Sequence, residues 1–188
     1  MDIVRQRLLR KNYRNTEEER NDNLLKEIVV INGMAQSGKD TFVQLVSKHI
    51  SADNYSSVKR VKGIAKLCGW NGEKDERSRQ FLCKLKELTT EFYDMSYKAV
   101  VDRIIKFYES DNELLFVHIR EPLEIQRIVD NFDAKTLLVE RENNIINITS
   151  NEADKNVFNY NYDYVITNNG TVDDLEEKAK LWLEKLKE

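Results

Sequence analysis

Ile28-Val29-Val30-Ile31-Asn32-Gly33-Met34-Ala35-Gln36-Ser37-Gly38-Lys39-Asp40-Thr41 is the stretch whose reading decides the fold. Its first four residues are β-branched aliphatics with no polar alternation. That pattern belongs to a strand buried on both faces, as in a parallel sheet. Gly33, four intervening residues, Gly38 and Lys39 then reproduce the G-x-x-x-x-G-K spacing of a phosphate loop. From Thr41 onward Phe42, Leu45, Val46 and Ile50 fall on one stripe of a helix reaching about Ile50. The chemistry requires this composition. Main-chain N–H groups of Gly33, Ala35, Gln36, Ser37 and Gly38 can surround phosphate oxygens only where the backbone bends as glycine permits and no Cβ intervenes. The following helix aims its positive end at the anion, and Lys39 adds a full charge. The strand-loop-helix context predicts a nucleoside triphosphate site.

The residue after the lysine departs from the usual motif. A Ser or Thr hydroxyl normally stands there to ligate Mg²⁺; here it is Asp40, with the hydroxyl one position later at Thr41. A carboxylate beside the β- and γ-phosphates repels them unless it faces metal-bound water. Thr41 is therefore the candidate metal or metal-water contact, and Asp40 is expected to act only through water. No N-K-x-D base-reading motif follows, which excludes a switch GTPase.

Further short apolar runs occur at Leu114–Ile119, Thr136–Val139 and Tyr164–Ile166, each followed by a helical pattern or a polar loop. Strands alternating with helices predict an α/β sheet covered on both faces. Leu175, Ala179, Trp182 and Leu186 mark a final amphipathic helix, with Thr171 as N-cap and Asp174 three residues on. Pro122 suits a first helical position. Between Lys59 and Ser110 only helical stretches are visible: 61–67, 78–91 and 95–108. This block, 59–110, is long for a crossover and is expected to form a helical flap over one sheet edge. Phe81, Leu82, Leu85 and Leu88 in it are expected to be core. Residues 1–26 alternate blocks of charge and read as a solvated arm or helix, leaving 27–188 as the folded domain.

Composition narrows the function classes. Leu, Ile, Val and Phe make up about 29 % of 188 residues, above the roughly 20 % below which chains stay disordered. Thirty basic against thirty-three acidic residues leave a net charge of −3, so the basic footprint of a nucleic-acid binder is missing. No apolar run approaches a membrane span, and the first residues lack a signal-peptide core. Cys68 and Cys83 form neither a CxxC pair nor a zinc cluster, which favours a reduced, cytoplasmic setting.

The Gly33–Thr41 loop with its G-K-D-T ending resembles that of phage-type deoxynucleoside monophosphate kinases, within the adenylate-kinase-like superfamily of P-loop kinases. His118-Ile119-Arg120-Glu121-Pro122 and Tyr162–Thr171 extend the resemblance across about 27–188. It implies a three-layer P-loop NTPase fold: a five-stranded, mainly parallel sheet of order 2-3-1-4-5, with a helical acceptor-side insertion at 59–110. It further implies transfer of the ATP γ-phosphoryl, with Mg²⁺, to a nucleoside or deoxynucleoside monophosphate. The polar segment 141–161 matches the superfamily's lid in length and position. Thr149 and Glu152 make a capping box there, and Arg141 and Lys155 are its candidates for neutralising charge on the transferred group. The Asn168-Asn169-Gly170-Thr171 turn should border the adenine, largely through backbone groups, with Asn169 and Gly170 as its candidate site residues.

Position nominates the remaining site residues. Arg120 follows a buried strand at its carboxyl end, where ligands bind in open α/β sheets; the resemblance gives it the acceptor phosphate. No aspartate ends this strand, and Glu121 is the nearest carboxylate that can replace it at metal-bound water. His118, within an apolar strand, reads as a hydrogen-bonded core histidine. In the helical block Lys59, Arg60, Lys62, Arg77, Arg79, Lys84 and Lys86 are acceptor-phosphate candidates, with Arg79 and Lys86, seven apart, favoured. Two other functions stay open. Dephospho-coenzyme A kinase or another metabolite kinase shares the ending with Asn169-Gly170 but normally carries Ser-Thr after the lysine. A non-catalytic ATP-binding regulatory module suits the missing aspartate.

Overall fold

A computed structural model describes residues 25–142 and 156–188. Five strands, β1 (Glu27–Asn32), β2 (Ala52–Ser56), β3 (Leu114–His118), β4 (Lys135–Glu140) and β5 (Tyr164–Thr167), form one sheet in the order β2-β3-β1-β4-β5. Every pairing is parallel, with Val29 opposite both Phe116 of β3 and Lys135 of β4. The helices are α1 (Lys39–Val46), α2 (Lys59–Leu67), α3 (Glu76–Tyr93), α4 (Met95–Tyr108), α5 (Pro122–Phe132) and α6 (Val172–Lys187).

The period of two along β1 sorts its side chains into two cores. Ile28 and Val30 join Val100, Ile104 and Phe107 of α4 with Ile125 and Ile128 of α5 on one face. Val29 and Ile31 join Phe42 and Leu45 of α1 with Leu175, Ala179 and Trp182 of α6 on the other. The sheet is thus covered on both sides, as the unbroken aliphatic run requires. Trp182 anchors the second face, its ring 5.4 Å from Phe42, 5.8 Å from Phe116 and 6.1 Å from Tyr164. At the start of α6, Thr171 and Asp174 close the capping box foreseen from their spacing.

Four differences from the sequence reading have local causes. The fifth strand is β2, Ala52-Asp53-Asn54-Tyr55-Ser56, in which only Tyr55 is buried. An edge strand needs little apolar surface, and its polar side chains serve elsewhere: Asp53 pairs with Arg103 of α4. Helix α1 ends at Val46, four residues short of Ile50, which is nevertheless buried in the turn that follows. Helix α3 has no buried residue: Phe81 is 36 % and Leu88 64 % exposed, so these are not core. Lys26, assigned to the arm, is tied down, its ammonium donating to the Phe107, Ser110 and Asn112 carbonyls at 2.5–3.1 Å. The rest of the arm and most of the expected lid, including Thr149, Glu152 and Lys155, lie outside the described residues.

Among the described residues the buried Trp182 indole N–H has no hydrogen-bond partner. Trp182→Ala is therefore expected to cost about 3–5 kcal/mol. Trp182→Phe, which keeps most of the ring volume and discards the unpaired donor, should cost less than half as much. Urea unfolding of the two variants checks the ranking.

Candidate active site

The loop between β1 and α1 is shaped by close approaches. Gly33 has φ +150°, and a Cβ on it would lie 2.2 Å from the Val139 carbonyl oxygen of β4. Gly38 has φ +97°, and its Cβ would meet the Asn168 amide nitrogen at 2.2 Å. Both positions demand glycine for conformation and for space. Gln36 adopts φ +62° without being glycine, a backbone strain of the kind that functional loops hold. The Gly38 carbonyl accepts the first α1 hydrogen bond, from Phe42 N–H at 2.8 Å, so the loop feeds directly into the helix N-terminus.

Two asparagines brace this loop: Asn32 is not among the candidate site residues, and Asn168 stands only in the turn expected to border the adenine through its backbone. Asn168, buried after β5, donates from its side chain to the Ser37 carbonyl at 2.9 Å. Asn32, buried at the end of β1, accepts from Gly33 N–H at 2.8 Å and donates to the Arg120 carbonyl at 3.3 Å and to the Tyr162 hydroxyl at 2.8 Å. Tyr162 in turn donates to the Val157 carbonyl at 2.7 Å. Burial pushes the Tyr162 hydroxyl up to about 12, the Asn32 bond opposing in part, so it remains a neutral donor. Val157 packs with Met34 of the loop and Leu138. A polar residue closing an otherwise aliphatic strand was the available signal for Asn32. Asn168 offered only its place beside Asn169.

Lys39, half-buried, donates to the Met34 carbonyl at 2.9 Å across the loop. The Ser37 hydroxyl is buried with no hydrogen-bond partner among the described residues. An unpaired buried hydroxyl inside a loop of main-chain donors fits an anionic oxygen ligand. A cavity of about 310 Å³ opens from this loop, walled by Gly38, Lys39, Asp40, Thr41, Arg141 and Asn168, with Gly170 and Leu175 at its far side. Of the residues expected to hold the donor, Gln36, Gly38, Lys39, Asp40, Thr41 and Gly170 line it. Asn169 stands next to them, its side-chain carbonyl accepting from Glu142 N–H at 3.0 Å.

A second group gathers at the carboxyl end of β3. The His118 ring is 2.7 Å from the Asn54 side-chain oxygen of β2. Burial, above all, pushes this imidazole down to about 4; the Asp40 charge opposes, while Lys39, Arg120 and Lys62 add to the shift. His118 is thus neutral, and four charged side chains converge electrostatically on it. Arg120 follows β3, its backbone carbonyl accepting from the Asn32 amide at 3.3 Å. Lys62, in the first turn of α2, is exposed.

The favoured pair on α3 is not brought there. Arg79 is exposed. Lys86 is held between Glu121 at 2.6 Å and Glu124 at 3.1 Å. Two carboxylates already match its charge, which makes it a tie between α3 and α5 rather than a receptor for an anion. The same tie occupies Glu121. Burial works against the Glu121 charge, but Lys86 outweighs it and holds this carboxyl below its ordinary value. For Glu124 burial wins: its carboxyl is pushed up to about 7, aided by the Glu121 charge and opposed by Lys86. The pair thus keeps one proton to about neutral pH.

No family model matches this chain, and none of the curated proteins compared with it does. Solved structures do. The crystal structure of TT1252 from Thermus thermophilus is 18 % identical over 86 % of this chain and 98 % of its own, with a TM-score of 0.51. Shikimate kinase from Aquifex aeolicus is 12 % identical over 84 % and 96 %, with a TM-score of 0.46. Thymidylate kinase from Candida albicans is 11 % identical over 88 % and 95 %, with a TM-score of 0.47. At these identities the likeness is one of fold alone: a five-stranded parallel sheet of order β2-β3-β1-β4-β5 with helices on both faces.

The raised Glu124 carboxyl has a measurable consequence. Between about pH 4.5, its ordinary value, and about pH 7 the folded chain binds a proton there that the unfolded chain has lost. Stability therefore falls through this window as pH rises. Glu124→Gln removes that loss, so the variant should gain stability relative to wild type from pH 4.5 to 7 and hold the gain above it. Parallel stability–pH curves in urea unfolding would contradict the assignment.

Proposed function

We propose that this chain is a P-loop kinase that transfers the γ-phosphoryl group of ATP to a small phosphorylated acceptor, most consistently a nucleoside or deoxynucleoside monophosphate. The observation that carries the reading is the loop from Gly33 to Thr41 with its cavity, which suits a polyphosphate. Arg120, after β3, has its carbonyl bonded to Asn32 at the start of that loop, and to it we assign the acceptor. In the transfer, an acceptor oxygen bonds to the γ-phosphorus while the bond to the β–γ bridging oxygen breaks, and ADP leaves. Little covalent chemistry is asked of the protein; positioning and charge stabilisation dominate.

The chain's own residues divide that work. Main-chain N–H groups and the Ser37 hydroxyl hold the donor phosphates, and Lys39 leaves the Met34 carbonyl to follow them. Arg120, with a planar fork of donors, holds the acceptor phosphate in line, and Lys62 adds charge from α2. Arg141 flanks the cavity from the β4 side and supplies a further cation for the transferred group. Thr41 and Asp40 provide the hard oxygen atoms that Mg²⁺ prefers, Asp40 through water. Held there, Mg²⁺ would supply positive charge against that of the donor phosphates. Asn169 and Gly170 border the base of the donor.

A nucleotide-binding regulatory module is the second reading, favoured by one observation: β3 ends in a neutral histidine rather than a carboxylate. An acceptor panel of nucleoside and deoxynucleoside monophosphates, with dephospho-coenzyme A and small alcohols as comparators, separates the readings. Transfer to a monophosphate is the expected result; slow hydrolysis alone supports the module.

Two variants sharpen this test. Lys39→Ala is expected to abolish transfer while melting near wild type without ligand, since the side chain crosses a loop rather than packing in a core. Arg120→Lys should impair use of the best acceptor at least tenfold, about 1.4 kcal/mol of barrier, in KM or kcat. Calorimetry should find its ATP affinity little changed. Weakened ATP binding with normal acceptor kinetics would move Arg120 to the donor side.

A further inference from the structure

Helix α3 is the one long helix whose surface the described protein leaves uncovered. It runs for eighteen residues with none buried. Phe81 is 36 %, Leu88 64 % and Phe92 91 % exposed. With half-buried Leu85 between them, these residues recur at intervals of four, three and four, the spacing of a helix–helix seam. Single exposed apolar residues elsewhere, such as Leu123 on α5, need no explanation; a row along one helix does. The row is centred about a third of a turn away from Lys86, the side chain that ties α3 to α5, so it is not the face that meets α5.

The charges beside the row identify what covers it. Lys84 and Glu91, both exposed, flank its outer edge seven residues apart. In a pair of α3 helices running antiparallel about a two-fold axis near Glu87, Phe81 meets the other copy's Phe92 and Leu85 meets the other copy's Leu88. The same axis brings Lys84 of each copy beside Glu91 of the other. A parallel pair offers no such match, because Lys84 would then face Thr89. The row is complementary to itself in one orientation only, as an isologous interface requires.

We propose that two copies of this chain associate through α3, antiparallel about a two-fold axis, burying the Phe81–Leu88–Phe92 row of each and pairing Lys84 with the other copy's Glu91. The association is independent of the phosphoryl-transfer reading.

Light scattering on size-exclusion chromatography at micromolar concentration tests it, with sedimentation to measure dissociation. Wild type should have twice the chain mass, and Leu88→Lys the single chain mass. Leu88 is exposed, so circular dichroism should show that variant folded. Lys84→Glu and Glu91→Lys should each weaken the dimer about tenfold, as two symmetry-related exposed pairs become repulsive. The double variant Lys84→Glu/Glu91→Lys should restore it. A monomeric wild type overturns the proposal, as does a Leu88→Lys variant that remains dimeric. Failure of the double variant to restore the dimer overturns it as well.

Discussion

The contact on which the rest depends is the seating of the phosphate loop between two neighbouring strands' ends. Gly33 lies so close to the Val139 carbonyl that no side chain fits, and Gly38 lies equally close to the Asn168 amide. The Asn168 bond to Ser37 closes one side of the loop, and the Asn32 bonds to Gly33, Arg120 and Tyr162 close the other. The loop is thereby fixed relative to β3, β4 and β5 at once. The loop backbone is held in advance, and such preorganisation is the main resource of a site that stabilises charge; of the expected donors, Gly33 N–H is already given to Asn32 and Ser37 N–H to the Met34 carbonyl at 3.3 Å.

Electrostatics then separates the two ends of the crevice. At the end of β3 burial keeps the His118 imidazole neutral, and Lys39, Arg120 and Lys62 add to that effect against the charge of Asp40. Farther out, Lys86 is cancelled by Glu121 and Glu124. That cluster ties α3, which contributes no buried side chain, to α5, while α4 holds the rest of the helical block to the sheet through Val100, Ile104 and Phe107.

The parts of the molecule legible in the sequence are those set by strong, local rules. The run Ile28–Ile31 revealed a doubly covered strand because burial on both faces leaves no polar alternation. The glycine spacing revealed the loop because few other residues adopt its backbone, and Thr171 with Asp174 revealed a helix start. What stayed illegible depends on partners distant in the chain. The strand Ala52–Ser56 hides its character because an edge strand with Asp53 and Asn54 bound to Arg103 and His118 looks like a polar turn. Lys86 reads as a free cation until its two carboxylates, thirty-five and thirty-eight residues away, are placed against it. Leu85 and Leu88 read as core because periodicity marks an apolar face without saying what covers it. Asn168 reads as part of a turn, and its side-chain bond to Ser37 has no signal until the loop that it braces is in place.

The central claim is that the loop from Gly33 to Thr41 receives the phosphates of a nucleoside triphosphate. Amide NMR of the full chain during titration with Mg²⁺ and a non-hydrolysable ATP analogue tests this directly. The account predicts that the largest shifts fall on amides from Met34 to Thr41, with smaller ones at Asn168–Gly170, and that they saturate together. Shifts confined to other parts of the chain, or no saturable change at these amides, would contradict it.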